Sequence, residues 1–346
     1  MTGELTIAQA MDLAVKKHNE GNLSEAELIY QKILEKSPNN SDALHLLGLV
    51  AHQLGRHEEA TVKIEEAIRL NPNVAVYYGN LGMVYDSLER EEESTLSFKK
   101  ALSLDPNYGS AKLAHYNLVV YYRDRGEFDE SLEHYNKAIE LDNGFYDAYW
   151  NRGLLLLILG RFEEGLEDYE YRFKKKTPTD PRVFGKPKWQ GDNLNGKKIL
   201  VASEQGFGDS IQFIRFLPKI KEKGGYVILE CRKELRRLYR RLEGVDELVE
   251  KEKNAIPHGV FDFYIHLLSL PLVFKTILED IPKKIPYITP EWDLLPEVAS
   301  KLKTEKFKVG LNWAGNPNFP YDKDRSMSFG KLKPLLEISG IEFFSL

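Results

Sequence analysis

The sequence contains one cysteine and no long apolar run, and these two shortages exclude several classes of protein. A single thiol, Cys231, cannot form an internal disulfide, so a disulfide-stabilised secreted domain is excluded. The longest aliphatic run, Leu154–Leu159, has six residues, whereas a helix needs about 20 apolar residues to span a membrane. The N-terminal segment also lacks a basic leader followed by an apolar stretch. We therefore expect a protein without a membrane span, located in the cytoplasm.

Several signatures of catalysis and metal binding are also absent. The sequence has no HExxH, Walker A, GxSxG or CxxC motif. Neither His258 nor His266 has a second histidine or a carboxylate at the spacing of metal ligands. The sequence therefore predicts no bound metal and no cofactor.

The net charge of −5 conceals opposite charges in the two halves of the chain. Residues 1–176 contain 20 Lys and Arg against 30 Asp and Glu, a net charge of −10. Residues 177–346 contain 28 against 23, a net charge of +5. The acidic half is unsuited to nucleic acid as a partner, because phosphate backbones require basic surfaces. The mildly basic half would suit a phosphorylated small molecule.

The first half of the chain repeats itself with a period of 34 residues. Gly21 and Gly55 are separated by this interval, and a three-residue insertion near 109–112 shifts the later copies. The copies begin near Ile7, Ser41, Ala75, Lys112 and Tyr146. Each of the first three copies ends in a proline, at Pro38, Pro72 and Pro106. This pattern resembles the tetratricopeptide repeat over residues 7 to about 176, which implies paired helices stacked into a curved all-α solenoid.

Asparagine occupies the sixth position of the first helix in three successive copies, at Asn80, Asn117 and Asn151. Repeat arrays of this kind usually bind an extended peptide on their concave face. A row of amides there can donate to and accept from a peptide main chain without reading its side chains. The row resembles the asparagine ladder of protein O-GlcNAc transferases, which implies a protein or peptide as partner. The alternative is that asparagine is only a common polar residue at a solvated position.

The rhythm of the repeat ends after Tyr169, and a segment rich in Lys, Pro and Gly follows. Beyond it, short apolar runs alternate with longer amphipathic segments, which predicts a parallel α/β sheet. We predict strands over 198–203, 226–231, 245–250, 261–268 and 308–315. The predicted organisation is a solenoid of about five repeats over 1–176, a linker over 177–197, a Rossmann-like α/β domain over 198–305 and the beginning of a second such domain over 306–346.

The turn from Glu204 to Asp209 follows the first predicted strand, where parallel sheets bind ligands. Its glycines, Gly206 and Gly208, allow a close backbone approach, and the start of a helix attracts anions. Ile211 stands where the dinucleotide fingerprint needs a third glycine, so a nicotinamide or flavin enzyme is disfavoured. Asp209 is placed either to cap the helix or to act in catalysis, and both roles can coexist.

The second half resembles the GT-B module of bacterial proteins that join tetratricopeptide repeats to a glycosyltransferase. The segments that carry this resemblance include EQGFGDSIQFIRFLP, YVILEC, FDFYIHLLSLPLVF and VGLNWAGNPNFPYDKDRSMSF. The module is similar to the lipopolysaccharide heptosyltransferases and more distantly to O-GlcNAc transferases. The resemblance implies the acceptor-side half of a GT-B fold, with Asp209 as the general base for the acceptor hydroxyl. Glu204, Gln205, Gly206 and Gly208 would form the acceptor loop beside it.

The same resemblance places a donor diphosphate against the loop that follows the strand predicted over 308–315. Four residues match this loop of the family in kind, Asn316, Lys323, Arg325 and Ser326. A guanidinium and a hydroxyl suit phosphate oxygens, so a nucleotide-sugar is the implied donor substrate. The alternative is an ordinary solvated loop.

The last apolar run, Gly340–Leu346, predicts a second strand of the second α/β unit. About 40 residues of that unit are present, where a nucleotide-binding half needs about 150. We therefore expect a truncated chain that transfers no sugar by itself. The resulting hypothesis is an inverting glycosyltransferase whose acceptor is presented by the solenoid. The alternative is a non-catalytic scaffold for protein–protein interaction.

Overall fold

The computed structural model describes residues 5–252, 255–256, 260–289, 300, 302–315, 317 and 322–345. The chain divides into two compact units. The first comprises Met1–Arg237 and Glu243–Lys284, and the second comprises Leu238–Leu242 and Ile285–Leu346. The helical repeats and the sheet that follows them therefore belong to one unit.

Five pairs of helices make up the first half of the described chain. Their bounds are α1 Ile7–Asn19, α2 Leu23–Lys36, α3 Ser41–Gln53, α4 His57–Leu70, α5 Ala75–Ser87, α6 Glu91–Leu104, α7 Ala111–Asp124, α8 Phe128–Leu141, α9 Tyr146–Ile158 and α10 Phe162–Tyr169. The predicted helical solenoid is confirmed. The fourth pair begins at Ala111, one residue before the predicted start at Lys112.

Each pair turns tightly because a residue with positive φ follows its first helix. In four of the pairs this residue is a glycine with φ between 75° and 78°, at Gly21, Gly55, Gly126 and Gly160. Glycine adopts this conformation without steric strain, because it has no Cβ. Glu89 takes the same place in the third pair, with a φ of 57°. The recurring glycine therefore records a backbone requirement of the turn.

Small residues let the two helices of a pair approach closely. Ala26 and Ala60 are completely buried at equivalent positions of the first two pairs. In the fifth pair the contact is between backbones, since a Cβ on Gly153 would lie 2.9 Å from the carbonyl oxygen of Gly165. Large apolar side chains fill the remaining space, among them Tyr30, Ile64, Phe98 and Tyr135.

Within the described ranges, no helix combines the length and the apolar composition that crossing a membrane requires. The longest helices of the array, such as α2 and α8, have 14 residues. The cytoplasmic location stays a prediction from the sequence.

A four-stranded parallel sheet follows the repeats. Its strands are β1 Lys198–Ala202, β2 Tyr226–Cys231, β3 Glu247–Glu250 and β4 Phe263–His266, in the order β3-β2-β1-β4. Leu200 in β1 pairs with Ile228 in β2 and with Tyr264 in β4. The associated helices are α11 Phe207–Phe213, α12 Leu217–Glu222, α13 Lys233–Tyr239 and α14 Leu270–Val273. Strands β1 and β2 are almost entirely buried, which explains why they are apolar except for Lys198 at the start of β1 and Glu230 near the end of β2.

Residues 177–197, which the sequence suggests are a linker, pack against this sheet. Trp189 is buried, and its backbone N–H donates to the carbonyl oxygen of Tyr264 at 2.9 Å. Its indole N–H donates to the carbonyl oxygen of Asp192, also at 2.9 Å. Leu194 is buried as well. The segment is therefore an integral part of the first unit.

The second unit contains a two-stranded parallel sheet among its described residues. Strand β5 Phe307–Leu311 pairs with β6 Ile341–Ser345. Two short helices lie between these strands in the sequence, α15 Asp322–Arg325 and α16 Lys333–Leu336. One side of the sheet borders an apolar hollow of about 390 Å³ beside Trp313.

Candidate functional site

The last turn of the array binds the loop that follows β1. Arg172 lies in the 3₁₀ turn Glu170–Phe173, and its guanidinium is completely buried. It donates to the two carboxylate oxygens of Glu204 at 2.8 and 3.3 Å, and to the hydroxyl of Ser269 at 2.8 Å. The ring of Phe173 packs on the guanidinium, 4.1 Å from ring centre to carbon. This buried ion pair joins the array directly to the sheet.

Opposite charges keep the buried groups of Arg172 and Glu170 ionised. Burial by itself lowers the pKa of Arg172, but Glu204 and Glu170 outweigh this effect and raise that pKa. Burial by itself raises the pKa of Glu170, but Arg172 and Lys188 outweigh this effect and lower that pKa. Removing one partner would leave an uncompensated charge in apolar surroundings.

The predicted acceptor loop is held by the array. Gln205 adopts a positive φ of 58°, and its side-chain amide donates to the hydroxyl of Tyr169. Its carbonyl oxygen accepts a hydrogen bond from Arg232 at 2.7 Å. Glu204 is almost fully buried, so its carboxylate serves the junction with Arg172 and is not open to an acceptor. Two of the predicted loop residues therefore position the loop.

Asp209 is the third residue of α11 and is half-buried. One of its carboxylate oxygens accepts the backbone N–H of Gly206 at 3.0 Å, which caps the start of the helix. A Cβ on Gly208 would meet no atom within 4 Å, so the backbone beside Asp209 is open. The capping role is present in the structure, and the role as general base stays a prediction.

A second buried ion network borders this loop and was not predicted from the sequence. Arg182 donates to Asp180 at 2.7 Å and to the two oxygens of Glu230 at 2.5 and 2.9 Å. Glu230 also accepts the backbone N–H of Ser203, the residue that follows β1, at 3.1 Å. Burial alone would raise the pKa of Asp180, but contacts with His266 and Arg182 hold it far below its usual value. The network fixes the carboxyl ends of β1 and β2.

A cleft of about 480 Å³ opens beside this network. Phe173 and Tyr264 line it together with the cations of Lys188 and Arg182. Lys188 pairs with Glu170, and Arg182 pairs with its two carboxylates, so these cations are engaged within the protein. Over the part of the chain that the structure describes, no three His, Cys, Asp or Glu side chains are grouped to hold a metal ion.

The three asparagines of the predicted ladder differ in exposure. Asn80 is buried, and its amide nitrogen lies 2.7 Å from Nε2 of His45 in the preceding repeat. Burial lowers the pKa of His45 to about 4, so this ring is neutral at pH 7. Asn117 and Asn151 are half-buried, and Asn151 donates to the hydroxyl of Tyr116. Asn80 and Asn151 therefore each connect two repeats, and the half-buried amides of Asn117 and Asn151 are the ones that a ligand can reach.

An apolar row lies beside these amides, and the sequence analysis missed it. Val120 and Leu154 follow Asn117 and Asn151 by three residues, which places them one turn further along the same helices. Their side chains are 46% and 37% exposed. Leu49 and Met83 occupy the equivalent positions in the second and third copies and are half-buried. The 34-residue period was the signal that could have revealed this row. We call the surface formed by Asn117, Asn151 and the apolar row Leu49, Met83, Val120 and Leu154 the inner face.

The predicted donor-site residues lie in the second unit. Asn316 lies outside the described residues, as does the side chain of Lys323. Arg325 places its Nε 3.3 Å from Asp322, and the Ser326 hydroxyl donates to Asp322 at 2.9 Å. That hydroxyl also accepts the backbone N–H of Gly315 at 2.8 Å. Arg325 and Ser326 are thus brought together around a carboxylate, and their role with a phosphate stays a prediction.

Comparison with known proteins agrees with the helical geometry. Family models of the tetratricopeptide repeat match residues 29–61, 75–108 and 121–160. Tetratricopeptide repeats therefore match three ranges of the helical array, from α2 to the turn after α9. The array here means α1 to α10 together with the 3₁₀ turn Glu170–Phe173.

The similar curated proteins are longer than the matched segments. The protein FlbA of Caulobacter vibrioides is 27% identical over 260 residues, which are 67% of this chain and 43% of FlbA. An uncharacterized protein of Methanocaldococcus jannaschii is 48% identical over 44 residues, which are 13% of this chain and 51% of that protein. The chain thus spans about half the length of the curated relatives it matches.

Several solved structures are similar to about half of this chain. The crystal structure of MamA is 27% identical and covers 47% of this chain and 94% of its own, with a TM-score of 0.41. YrrB, a tetratricopeptide-repeat protein with an unusual peptide-binding site, is 23% identical. It covers 49% of this chain and 85% of its own, with a TM-score of 0.40.

Proposed function

We propose that the tetratricopeptide-repeat array is a scaffold that binds an extended segment of a partner polypeptide along its inner face. The observation that carries this proposal is the pairing of amides with exposed aliphatic side chains. Asn117 and Asn151 are half-buried, and Val120 and Leu154 lie one turn further along the same helices. Amides can hold the main chain of an extended peptide, and the aliphatic row can contact its side chains.

We expect the double variant Asn117→Ala/Asn151→Ala to weaken peptide binding about tenfold, because each lost hydrogen bond contributes about 0.5–1.5 kcal/mol. The measurement is binding of the labelled protein to an array of overlapping peptides, followed by titration of the best peptide. Asn73→Ala is the matched control, since Asn73 is exposed in the turn before α5. Equal affinity of the double variant and the control for every bound peptide would remove these amides from the binding surface.

Asn80 is expected to behave differently from the other two asparagines. Its amide is buried against His45, so Asn80→Ala removes a hydrogen bond between two repeats. Leaving a buried polar partner unsatisfied lowers the free energy of unfolding by about 1–3 kcal/mol. Asn80 is therefore left out of the double variant. Asn151→Ala also removes a hydrogen bond between repeats, to Tyr116, so the melting temperature of the double variant is measured beside its affinity.

A glycosyltransferase is the second candidate function. The parallel strand order β3-β2-β1-β4 supports this candidate, because it agrees with the first four strands of the doubly wound order 3-2-1-4-5-6, whose ligands bind at the carboxyl ends of the strands. Asp209 follows β1 at this end, and the loop before it is held by Tyr169 and Arg172 of the array. The array thus positions the loop at which this proposal places the acceptor. A nucleotide-sugar is the proposed donor, facing Asn316, Lys323, Arg325 and Ser326.

Asp209→Asn separates the two roles of this carboxylate. The amide oxygen of asparagine can still accept the Gly206 N–H, so we expect the melting temperature to change by no more than about 3 °C. The variant cannot take a proton from an acceptor hydroxyl, so turnover should fall about 100-fold or more. The measurement is the rate of sugar transfer from UDP-, GDP- or ADP-sugars, made with a form of the protein that transfers sugar at a detectable rate. Normal turnover by Asp209→Asn would exclude Asp209 as the base.

Calorimetry distinguishes the two candidate functions before any turnover assay. Titration with UDP-, GDP- and ADP-sugars should release or absorb heat if the α/β half binds a donor. No heat with any of these nucleotides would favour the scaffold alone.

A further inference from the structure

Three exposed aliphatic side chains recur at one position of the second helices. Leu28 in α2, Val62 in α4 and Leu96 in α6 are 58%, 59% and 67% exposed. They are separated by the repeat period of 34 residues, so stacking of the repeats places them in one row. The equivalent residues of the fourth and fifth repeats are the exposed Glu133 and Glu167. We call Leu28, Val62 and Leu96 the outer row.

This position is aliphatic in the first three repeats and glutamate in the last two, so an exposed site here does not require an aliphatic residue. The same position is solvent-exposed in all five repeats, yet only the first three carry an apolar side chain there. Exposed apolar residues need no explanation when they are scattered singly. A row that recurs at one position on three adjacent repeats is not such a scatter, and exposed apolar surface of this kind marks an interaction site.

A row of carboxylates runs beside the outer row. Glu25, Glu59 and Glu93 precede the three aliphatic residues by three positions, so they lie one turn earlier on the same helices. Their partners are basic residues of the array itself, Lys17, Arg56 and Arg90. Glu58 and Glu92, four positions before Val62 and Leu96, are exposed as well. On the other side of the outer row, Lys32 and Lys100 lie one turn after Leu28 and Leu96. Helices α2, α4 and α6 together contain ten Glu against six Lys and Arg, so these helices carry a net negative charge.

The third repeat adds a groove next to the outer row. Leu96 borders a hollow of about 390 Å³ whose walls include Ile68, Leu81 and Tyr85. The Tyr85 hydroxyl donates to Glu65 at 2.5 Å, which fixes one wall of the groove. Apolar walls beneath a carboxylate can accommodate a side chain that has an aliphatic stem and a cationic head.

We infer that the outer row docks a basic amphipathic helix of a partner protein, at a surface separate from the inner face. The aliphatic row matches the apolar side of such a helix, and the carboxylates beside it match Lys and Arg at the border of that side. Residues 1–176 carry a net charge of −10, which attracts a basic segment. The same charge disfavours an anionic membrane or a nucleic acid on this surface.

Fluorescence anisotropy with two synthetic helices tests this inference. The basic probe is a labelled peptide of about 18 residues, or five turns, with leucine on one side and lysine on the other. The acidic probe replaces each lysine by glutamate. We expect the protein to bind the basic probe and not the acidic one. Leu28→Ser/Val62→Ser/Leu96→Ser should weaken binding of the basic probe about tenfold or more, because it removes the apolar contacts.

Two further variants make the result specific. Glu58→Gln/Glu92→Gln should weaken binding severalfold and reduce its dependence on salt, because fewer charges contribute. Leu54→Ser/Leu141→Ser is the control, since both leucines are exposed but lie off the outer row, and it should bind like the unmodified protein. Sedimentation and the melting temperature of each variant confirm that it remains folded.

Several outcomes would overturn the inference. If the triple variant binds the basic probe as tightly as the unmodified protein does, the probe is attracted by charge and does not contact the outer row. Binding of the acidic probe, or no binding of the basic probe, would contradict charge complementarity. A dimer of the unmodified protein that the triple variant converts to a monomer would assign the outer row to a second copy of this chain.

Discussion

Arg172→Ala is expected to lower the free energy of unfolding by about 3–5 kcal/mol, because it leaves buried carboxylates without their cation. Arg172 is completely buried and donates to Glu204, Glu170 and Ser269. Neither the carboxylate of Glu204 nor the hydroxyl of Ser269 can turn to solvent, since both residues are almost fully buried. Urea unfolding, followed by circular dichroism and by tryptophan fluorescence, measures the loss.

The control for this variant is Arg161→Ala. Arg161 also pairs with a glutamate of the array, Glu164, but both side chains are about half exposed. An exposed pair of this kind contributes only about 0–1 kcal/mol. Equal losses for Arg172→Ala and Arg161→Ala would contradict a buried ion pair at the junction between array and sheet.

Gly153→Val is expected to lower the free energy of unfolding by about 3 kcal/mol, at the upper end of the range for overpacked sites. A Cβ at this position would lie 2.8 Å from the backbone nitrogen of Tyr169 and 2.9 Å from the carbonyl oxygen of Gly165. Backbone atoms cannot move aside like the end of a flexible side chain, so α9 and α10 must separate. Separation would also shift Tyr169, which holds Gln205.

Gly109→Val is the control for this substitution, because a Cβ on Gly109 would meet no atom within 4 Å. The two variants should therefore differ in urea midpoint, with Gly109→Val close to the unmodified protein. A Gly153→Val protein as stable as the control would show that α9 and α10 are further apart than the structure places them.

The repeats could be predicted from the sequence because their signals are local. A glycine of positive φ after four of the five first helices and a small residue inside each second helix recur at a nearly fixed interval, as Gly55 and Ala60 illustrate. The buried strands were also recognisable, since β1 and β2 are mostly apolar runs between polar segments. Parallel pairing followed from the alternation of strands with helices.

The junction could not be predicted, because it depends on contacts between residues distant in the sequence. Arg172 binds Glu204 and Ser269, which lie 32 and 97 residues further along the chain. The available signal was that Arg172 stands where the preceding repeats carry Ala67, Ala101 and Ala138. A charged residue at a position that is otherwise small and buried indicates a partner outside the repeat.

The difference between Asn80 and the other asparagines was hidden for a related reason. All three share one position in the repeat, but the residue that faces each of them from the preceding copy is different. His45 faces Asn80, and Tyr116 faces Asn151. The period of the sequence gives the position of a side chain on its helix, whereas its accessibility depends on the neighbour.

The central proposal is that the array binds a polypeptide on its inner face. The most direct test places a photo-crosslinking amino acid at position 117 in one variant and at position 73, the exposed control, in another. Each variant is irradiated with the peptide that bound best among the overlapping peptides. We predict that the peptide crosslinks to position 117 and not to position 73. Crosslinking from position 62 on the second helices, with none from position 117, would contradict binding at the inner face.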